Sequence, residues 1–536
     1  MTQGNGNHNG NGNRNGNGNG GSIITIIYYK NKNLINNGSS YLTSSTTPLD
    51  ILLSPKYATK EEIDIAIREF IQIVGDDHVS CLEGDLEHHS DSFYNAHKAL
   101  KTQKPRAIVY PSCTQEVSLV MKICHKYHIP VVLFGGGTSI EGHYVNTRNG
   151  ISLDLSRMDR ILEFNKNDLD VVCDAGVGWQ DLNEFLSPHN LMIGVDPGPG
   201  AQLGGMTSCN CSGTNAFQFG TMKENVIGLE VVLADGTIIT TRQRPRKTSA
   251  GYNLTGLFIG SEGTLGIITK VKLKVHVKPE NEGIIEIQFE SIEDATNSVK
   301  NLIQKNIKLN AIELLNNKMM QSLNLSKQLL HIYEEKATLF LKISGASPLI
   351  TKETIKQIKF VITDNNATYF KVATNDLEKQ EIWSARKLAL WSAIQYGKSV
   401  LGNDAQSIST DVAVPISDLP EIIKLTEHDI EQTDVVGVIV GHVGDGNFHS
   451  CLSFNLENEK KAWEIADKCV ERAVIQFQGT CSGEHGIGYG KRKYLELELG
   501  SQTIDLMRRI KMALDPLRIL NPDKILKIDP ADIGEH

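Results

Sequence analysis

The alternation of apolar and polar positions sets out the elements of the first half. Ala107-Ile-Val-Tyr110 is a short β-rich run stopped by Pro111. Thr114 then offers a helix N-cap, and Val117, Val120, Met121 and Cys124 recur at helical spacing before Pro130. Val131-Val-Leu-Phe134 predicts a second strand. Upstream, Thr59-Lys-Glu-Glu-Ile63 predicts a helix, with folded sequence expected from near Lys60. Downstream, Val226 to Leu233 and Thr237 to Thr240 read as a hairpin turned by Asp235-Gly236, and Ile267 to Leu273 as a further strand. In the second half, the runs Val435 to Val440 and Phe448 to Phe454 flank Gly444-Asp-Gly-Asn447 and predict another hairpin.

Glycine-rich segments interrupt these elements. The strand ending at Phe134 runs directly into Gly135-Gly-Gly-Thr-Ser139, followed by Gly142. Glycines let backbone N–H groups approach and face a pyrophosphate, and Thr138 and Ser139 add hydroxyl donors. No Gly-Lys-Ser/Thr closes the loop as in a Walker A motif, and G-x-G-x-x-G is missing. Asp196-Pro-Gly-Pro-Gly200, Leu203-Gly-Gly-Met-Thr-Ser208 and Asn210-Cys-Ser-Gly-Thr-Asn215 then form a long stretch rich in small and polar residues. Such a stretch is unusual in a compact domain unless the backbone wraps a ligand. Gly260-Ser-Glu-Gly-Thr-Leu-Gly266 precedes the strand that starts at Ile267.

The second hairpin carries candidate chemistry. Centring its turn on Asp445-Gly446 sets His442 directly opposite His449, with Cβ atoms roughly 5 Å apart on one face. Two imidazoles so placed can converge on a cation. A third ligand is expected from Cys481-Ser-Gly-Glu-His-Gly-Ile-Gly-Tyr-Gly490, where Glu484 and His485 sit among glycines.

Composition narrows the class. The 536 residues suit two or three domains, and 40% hydrophobic with 22% charged residues is ordinary globular composition. A net charge of −9 argues against nucleic acid as partner. Nine cysteines without a CxxC pair read as reduced thiols. No apolar run approaches the ~18 residues that span a bilayer. Residues 1 to 20 are nearly an Asn-Gly repeat, so the segment 1–59 is expected to be a disordered tail. Its stretch up to Pro48 has no acidic residue and many hydroxyls, the composition of a mitochondrial transit segment, although Arg14 is its one arginine.

From about Lys101 to Val277 the glycine segments, in this order, resemble the FAD-binding domain of the vanillyl-alcohol-oxidase and p-cresol-methylhydroxylase (PCMH/VAO) superfamily. The resemblance implies that Gly135, Gly136, Gly137, Thr138, Ser139 and Gly142 belong to the pyrophosphate loop. It also implies that Gly204, Gly205, Ser212 and Gly213 line FAD, with Glu262, Gly266 and Ile267 nearby. Thr138 stands where some members attach FAD through histidine, so non-covalent FAD is implied. Gly441 to His449 and Gly483 to Gly488 resemble the C-terminal domain of FAD-linked D-2-hydroxy-acid dehydrogenases. That resemblance makes His442, His449 and Glu484 ligands of a divalent metal, zinc or manganese, and His485 the active-site base. It favours Arg386 for the substrate carboxylate and puts Asn521 near the isoalloxazine.

The implied fold is α+β. A flavin domain of two α/β subdomains covers 60–278, a substrate cap with an antiparallel sheet 279–500, and a segment returning to the flavin domain 501–536. The implied reaction removes a hydroxyl proton to His485 and a hydride to the flavin. D-2-hydroxyglutarate dehydrogenases carry a lysine where this chain has Ser409, and a hydroxyl residue where it has Leu390. A buried second carboxylate would lack both partners. A small D-2-hydroxy monocarboxylate such as D-lactate is therefore expected, and Ser407 to Leu419 resembles the mitochondrial D-lactate dehydrogenase (cytochrome) family. Glycolate or hydroxyglutarate oxidation in the same architecture is the first alternative. An electron-passing flavoprotein subunit without substrate chemistry is the second. The electron acceptor (cytochrome c, a quinone or an electron-transferring flavoprotein) and the assembly state, a homodimer included, stay open.

Overall fold

The computed structural model describes residues 43–93 and 95–532. The Asn-Gly repeat and most of the expected transit segment lie outside the described residues. The described chain starts before Lys60 and is already tied down there. Thr47 is buried, and its N–H and carbonyl bond to Asp505 and Arg508 near the C-terminus. Helix α1 (Lys60–Val74) starts as its sequence dictates: Thr59 and Glu62 form a capping box.

A four-stranded sheet follows. It contains β1 (Val79–Ser80), β2 (Ile108–Val109), β3 (Val131–Phe134) and β4 (Ile151–Asp154) in the order β1-β2-β4-β3, with β2, β3 and β4 parallel. Helix α2 (Thr114–Tyr127) crosses between β2 and β3 and buries Val117, Val120, Met121 and Cys124. Thr114 is the first helical residue rather than the cap; Cys113 holds the cap position, and the Thr114 hydroxyl donates to Glu230. The C-terminal segment extends this sheet: Asn521 N–H donates to Val131 O at 2.8 Å, and Val131 N–H to Ile519 O at 2.8 Å.

A second, antiparallel sheet comprises β5 (Ile161–Asn165), β6 (Asp170–Asp174), β7 (Val226–Val232), β8 (Ile238–Thr240) and β9 (Ile267–Lys274), in the order β5-β6-β9-β7-β8. Helix α3 (Leu203–Cys209) packs against it, and Gly204 and Gly205 of the glycine-rich stretch sit in this helix. The third sheet has eight antiparallel strands. Its main path uses β10 (Gly283–Phe289), β11 (Ala311–Leu315), β12 (Ala337–Ile343), β13 (Ala367–Val372), β14 (Gln406–Ser409), β15 (Val436–Gly441) and β16 (Asn447–Phe454). Ile285, Ile287 and Phe289 face one core and Ile284 the other, so both faces are covered, one of them by α4 (Asp376–Lys387). No described helix is long and apolar enough to cross a membrane.

Candidate active site

The hairpin β15–β16 does not take the expected register. Val440, not His442, pairs with His449. The turn is longer than two residues: Val443–Asp445 form a 3-10 turn, and Gly446 adopts φ +75° to rejoin the ladder. His442 thus leaves the strand before the turn, and a contact predicted across the sheet is made across a loop instead. The imidazoles still converge, with ring centroids 5.7 Å apart.

Each ring is fixed from behind. His442 Nδ1 is 2.8 Å from Glu313 Oε1 on β11, and His449 Nδ1 is 3.1 Å from Thr410 O. Both Nε2 atoms therefore face inward, each 3.2 Å from Glu484 Oε1. The ligand atoms of His442, His449 and Glu484 lie within 4.8 Å of one another. This is a His₂-carboxylate set with its outer nitrogens oriented, the pattern divalent metals require. Burial opposes charge on His442, but Glu313 and Glu484 outweigh it and raise its pKa to about 10. Burial likewise works against charge on Glu484, but the two histidines hold its carboxyl well below the usual range. The site is built to concentrate positive charge beside a carboxylate.

Arg386, from α4, donates Nε to Glu313 Oε2 at 2.5 Å and places Nη2 3.3 Å from His442 Nε2. His485 stacks on His449 with 5.0 Å between centroids. Burial pushes the His485 pKa below the ordinary imidazole value, with Asp411 opposing. Asp411 is fully buried and holds the neighbouring backbone: Oδ2 accepts the N–H groups of Glu484 at 3.0 Å and His485 at 2.8 Å. Lys491 bridges Asp411 and Glu141, 3.7 and 3.0 Å away. Sequence reasoning misses the roles of Glu313, Glu141, Lys491 and Asp411.

Arg386, His442, His449, Glu484 and His485 line a cavity of about 770 Å³. Its other walls include Gly135, Gly136, Gly137, Thr138 and Ser139, then Gly204, Gly205, Ser212, Gly213, Glu262 and Asn521. Three expected residues lie off it. A Cβ at Gly142 would meet Tyr489 and His97. A Cβ at Gly266 would meet Val231 at 2.6 Å, which makes it a packing glycine. Ile267 is buried in the core; strand alternation turns Ile268 to the cavity instead.

The cavity fits a flavin dinucleotide. Among the described residues no acceptor meets the backbone N–H groups of Gly136, Gly137, Thr138 and Ser139. That loop touches the 196–200 segment so closely that a Cβ at Gly136 would lie 2.1 Å from Gly200 O. Buried Gln202 Oε1 and Asn521 Oδ1 have no protein partner and line the same space. Buried polar atoms of this kind call for a ligand.

Comparison with known proteins agrees. Residues 105–242 match the family model "FAD binding domain", and residues 278–525 match "FAD linked oxidases, C-terminal domain". The chain is 47% identical to the mitochondrial D-lactate dehydrogenase (cytochrome) of Kluyveromyces lactis, covering 91% of this chain and 85% of that one. It is also 47% identical to the mitochondrial D-lactate dehydrogenase (cytochrome) 1 of Saccharomyces cerevisiae, covering 91% and 84%. The fold matches p-cresol methylhydroxylase with a TM-score of 0.69 at 17% identity, covering 89% and 99%. The chain belongs to the FAD-linked oxidase family of the mitochondrial D-lactate dehydrogenases (cytochrome), built on a flavin domain of the PCMH/VAO type.

Proposed function

We propose that the protein oxidises D-lactate to pyruvate in mitochondria and passes the electrons to a cytochrome. One observation carries this reading: a single cavity joins the glycine loop at 135–139 to the cluster His442, His449, Glu484 and His485. FAD, when bound, supplies the hydride acceptor and carries the electrons onward. Gly135 to Ser139 would hold its pyrophosphate through backbone N–H groups, and the 204–213 segment would line it.

His442, His449 and Glu484 would hold a divalent cation, zinc or manganese. Such a cation supplies positive charge where the substrate hydroxyl loses its proton. The chain's own groups do the rest. Arg386 offers a guanidinium to the substrate carboxylate. Glu313 fixes both Arg386 and His442, so carboxylate and hydroxyl are gripped from one buried anchor. His485, kept neutral by burial, accepts the hydroxyl proton.

Ser409 and Leu390 both line this cavity, and the Ser409 hydroxyl is spent on Thr410 O at 3.1 Å. Neither matches a second substrate carboxylate. A second reading, D-2-hydroxyglutarate, is favoured by Lys387 and Lys398, which line the same cavity. Anaerobic addition of D-lactate, L-lactate and D-2-hydroxyglutarate to the purified holoenzyme separates the readings. D-lactate should bleach the flavin and L-lactate should not. A hundredfold preference for hydroxyglutarate would overturn the assignment.

A further inference from the structure

The backbone around Glu262 borders the cavity, but its carboxylate is engaged elsewhere. Oε1 accepts the N–H of Ile487 at 2.7 Å, and Oε2 accepts that of Gly488 at 2.8 Å. His143 Nε2 stands 3.2 Å from Oε2. The Glu262 peptide is fixed on both sides as well. Its N–H donates to Ser208 O at 2.8 Å, and its carbonyl accepts from Asn521 Nδ2 at 2.7 Å. Glu262 holds φ +51°, which non-glycine residues adopt when their surroundings over-determine them. Gly486 admits the approach: a Cβ there would lie 2.8 Å from Glu262 Oε1, and its φ is +80°.

These contacts cross between parts of the chain more than 220 residues apart. Asp411 grips the Glu484 and His485 end of the loop, and Glu141 O accepts the N–H groups of Tyr489 and Gly490 at the far end. Glu262 takes the middle. It is the one of the three whose side chain reaches the loop from a segment that also touches Ser208 and Asn521, both on the cavity wall.

We propose that Glu262 is a positioning residue for His485: its carboxylate suspends the 482–490 loop from the flavin side of the cavity and sets the imidazole in place. The inference rests on the reading of His485 as proton acceptor. Through Ser208 and Asn521 it ties the placement of that base to the segments that would wrap FAD.

The test uses full-length holoenzyme carrying Glu262→Gln or Glu262→Asp. Glutamine keeps the shape but turns an NH₂ donor toward a backbone N–H. Hydrogen exchange should speed at least tenfold across 482–490 in Glu262→Gln and stay unchanged across 135–139. FAD content should hold. The rate of flavin reduction at saturating D-lactate should fall 30-fold or more, with the half-saturating concentration within threefold. Glu262→Asp, which can still accept both N–H groups, should recover part of both effects and serves as the readout if glutamine prevents folding. Unchanged exchange across 482–490 would overturn the proposal. So would loss of FAD with normal loop exchange, which marks a cofactor ligand instead. If D-lactate fails to reduce the wild-type flavin, the functional reading falls, and the exchange measurement still decides the role of Glu262.

Discussion

The imidazoles of His449 and His485 stack, 5.0 Å between centroids and 15° between planes. The pair separates two jobs on adjacent rings: His449 turns Nε2 to Glu484, and His485 stays out of that triad. Removing the His485 ring should therefore spare the triad and the flavin site. His485→Ala is expected to keep its FAD while flavin reduction by D-lactate slows about 10²- to 10⁴-fold, the usual contribution of a general base. Stopped-flow absorbance at the flavin band measures it. A rate within threefold of wild type would remove His485 from the chemistry.

Glu313 anchors both His442 and Arg386 while 1% exposed. Glu313→Gln should loosen the His442 ring without emptying the volume. Zn²⁺ or Mn²⁺ affinity is expected to drop roughly 10- to 100-fold, as for other residues that orient a metal ligand. Competition with a chelator reads this directly, and excess metal should restore activity. Glu313→Ala goes further. It leaves the part-buried Arg386 and the buried His442 without their shared partner, and a stability loss of about 3 kcal/mol is expected, the low end for breaking a buried pair. Unaltered metal affinity in Glu313→Gln would show that Glu313 does not orient His442 for the metal.

How much of this was legible in the chain depends on the distance between partners. His442, His449, Glu484 and His485 are legible because glycines mark both of their loops. The register was misread by two residues because a turn with a 3-10 segment looks, in sequence, like a two-residue Asp-Gly turn. Glu313 left one faint signal, a carboxylate inside the apolar strand Ala311-Ile-Glu-Leu-Leu315. Its partners lie 73 and 129 residues away, beyond any local pattern. Lys491 and Glu141 are invisible for the same reason. The sequence carries no helix signal for Leu203 to Cys209, because glycine disfavours helix in isolation. Packing on the second sheet, where Gly204 N–H donates to Ala175 O at 2.7 Å, overrides that preference.

Gly136 gives a separate handle on the cofactor. Its missing side chain lets the 135–139 loop touch the 196–200 loop. Gly136→Ala drives a methyl into a carbonyl 2.1 Å away, so one loop must shift. Retained FAD, read as the ratio of flavin to protein absorbance after gel filtration, should fall by more than half while the fold persists. Metal affinity at His442, His449 and Glu484, which the two loops do not contribute to, should not change. Full FAD occupancy in Gly136→Ala would show that the two loops do not jointly form the dinucleotide site.

His276 predicts a pH effect on stability. It sits in a short strand pairing with Met192, with Nε2 2.8 Å from Asn225 Oδ1 and its ring 4.6 Å from that of Phe219. Burial, with Lys274 and Arg246 adding to it, lowers its pKa to about 4. The unfolded chain takes up this proton near pH 6.5, whereas the folded chain refuses it until about pH 4. The unfolded state therefore binds more protons between those values, and stability falls as pH drops through that window. Full stability from this group is present above pH 6.5, and the loss is complete below pH 4. Allowing for partial exposure, the loss amounts to about 2 kcal/mol. Other groups titrate over the same range, so the difference between two proteins is the measurement. His276→Gln cannot charge. Its melting temperature should decline less than that of wild type between pH 6.5 and 4.5, by about 1–2 °C. Parallel curves for the two proteins would show that the folded state accommodates the protonated ring, and that burial at the strand edge is less severe than its contacts imply.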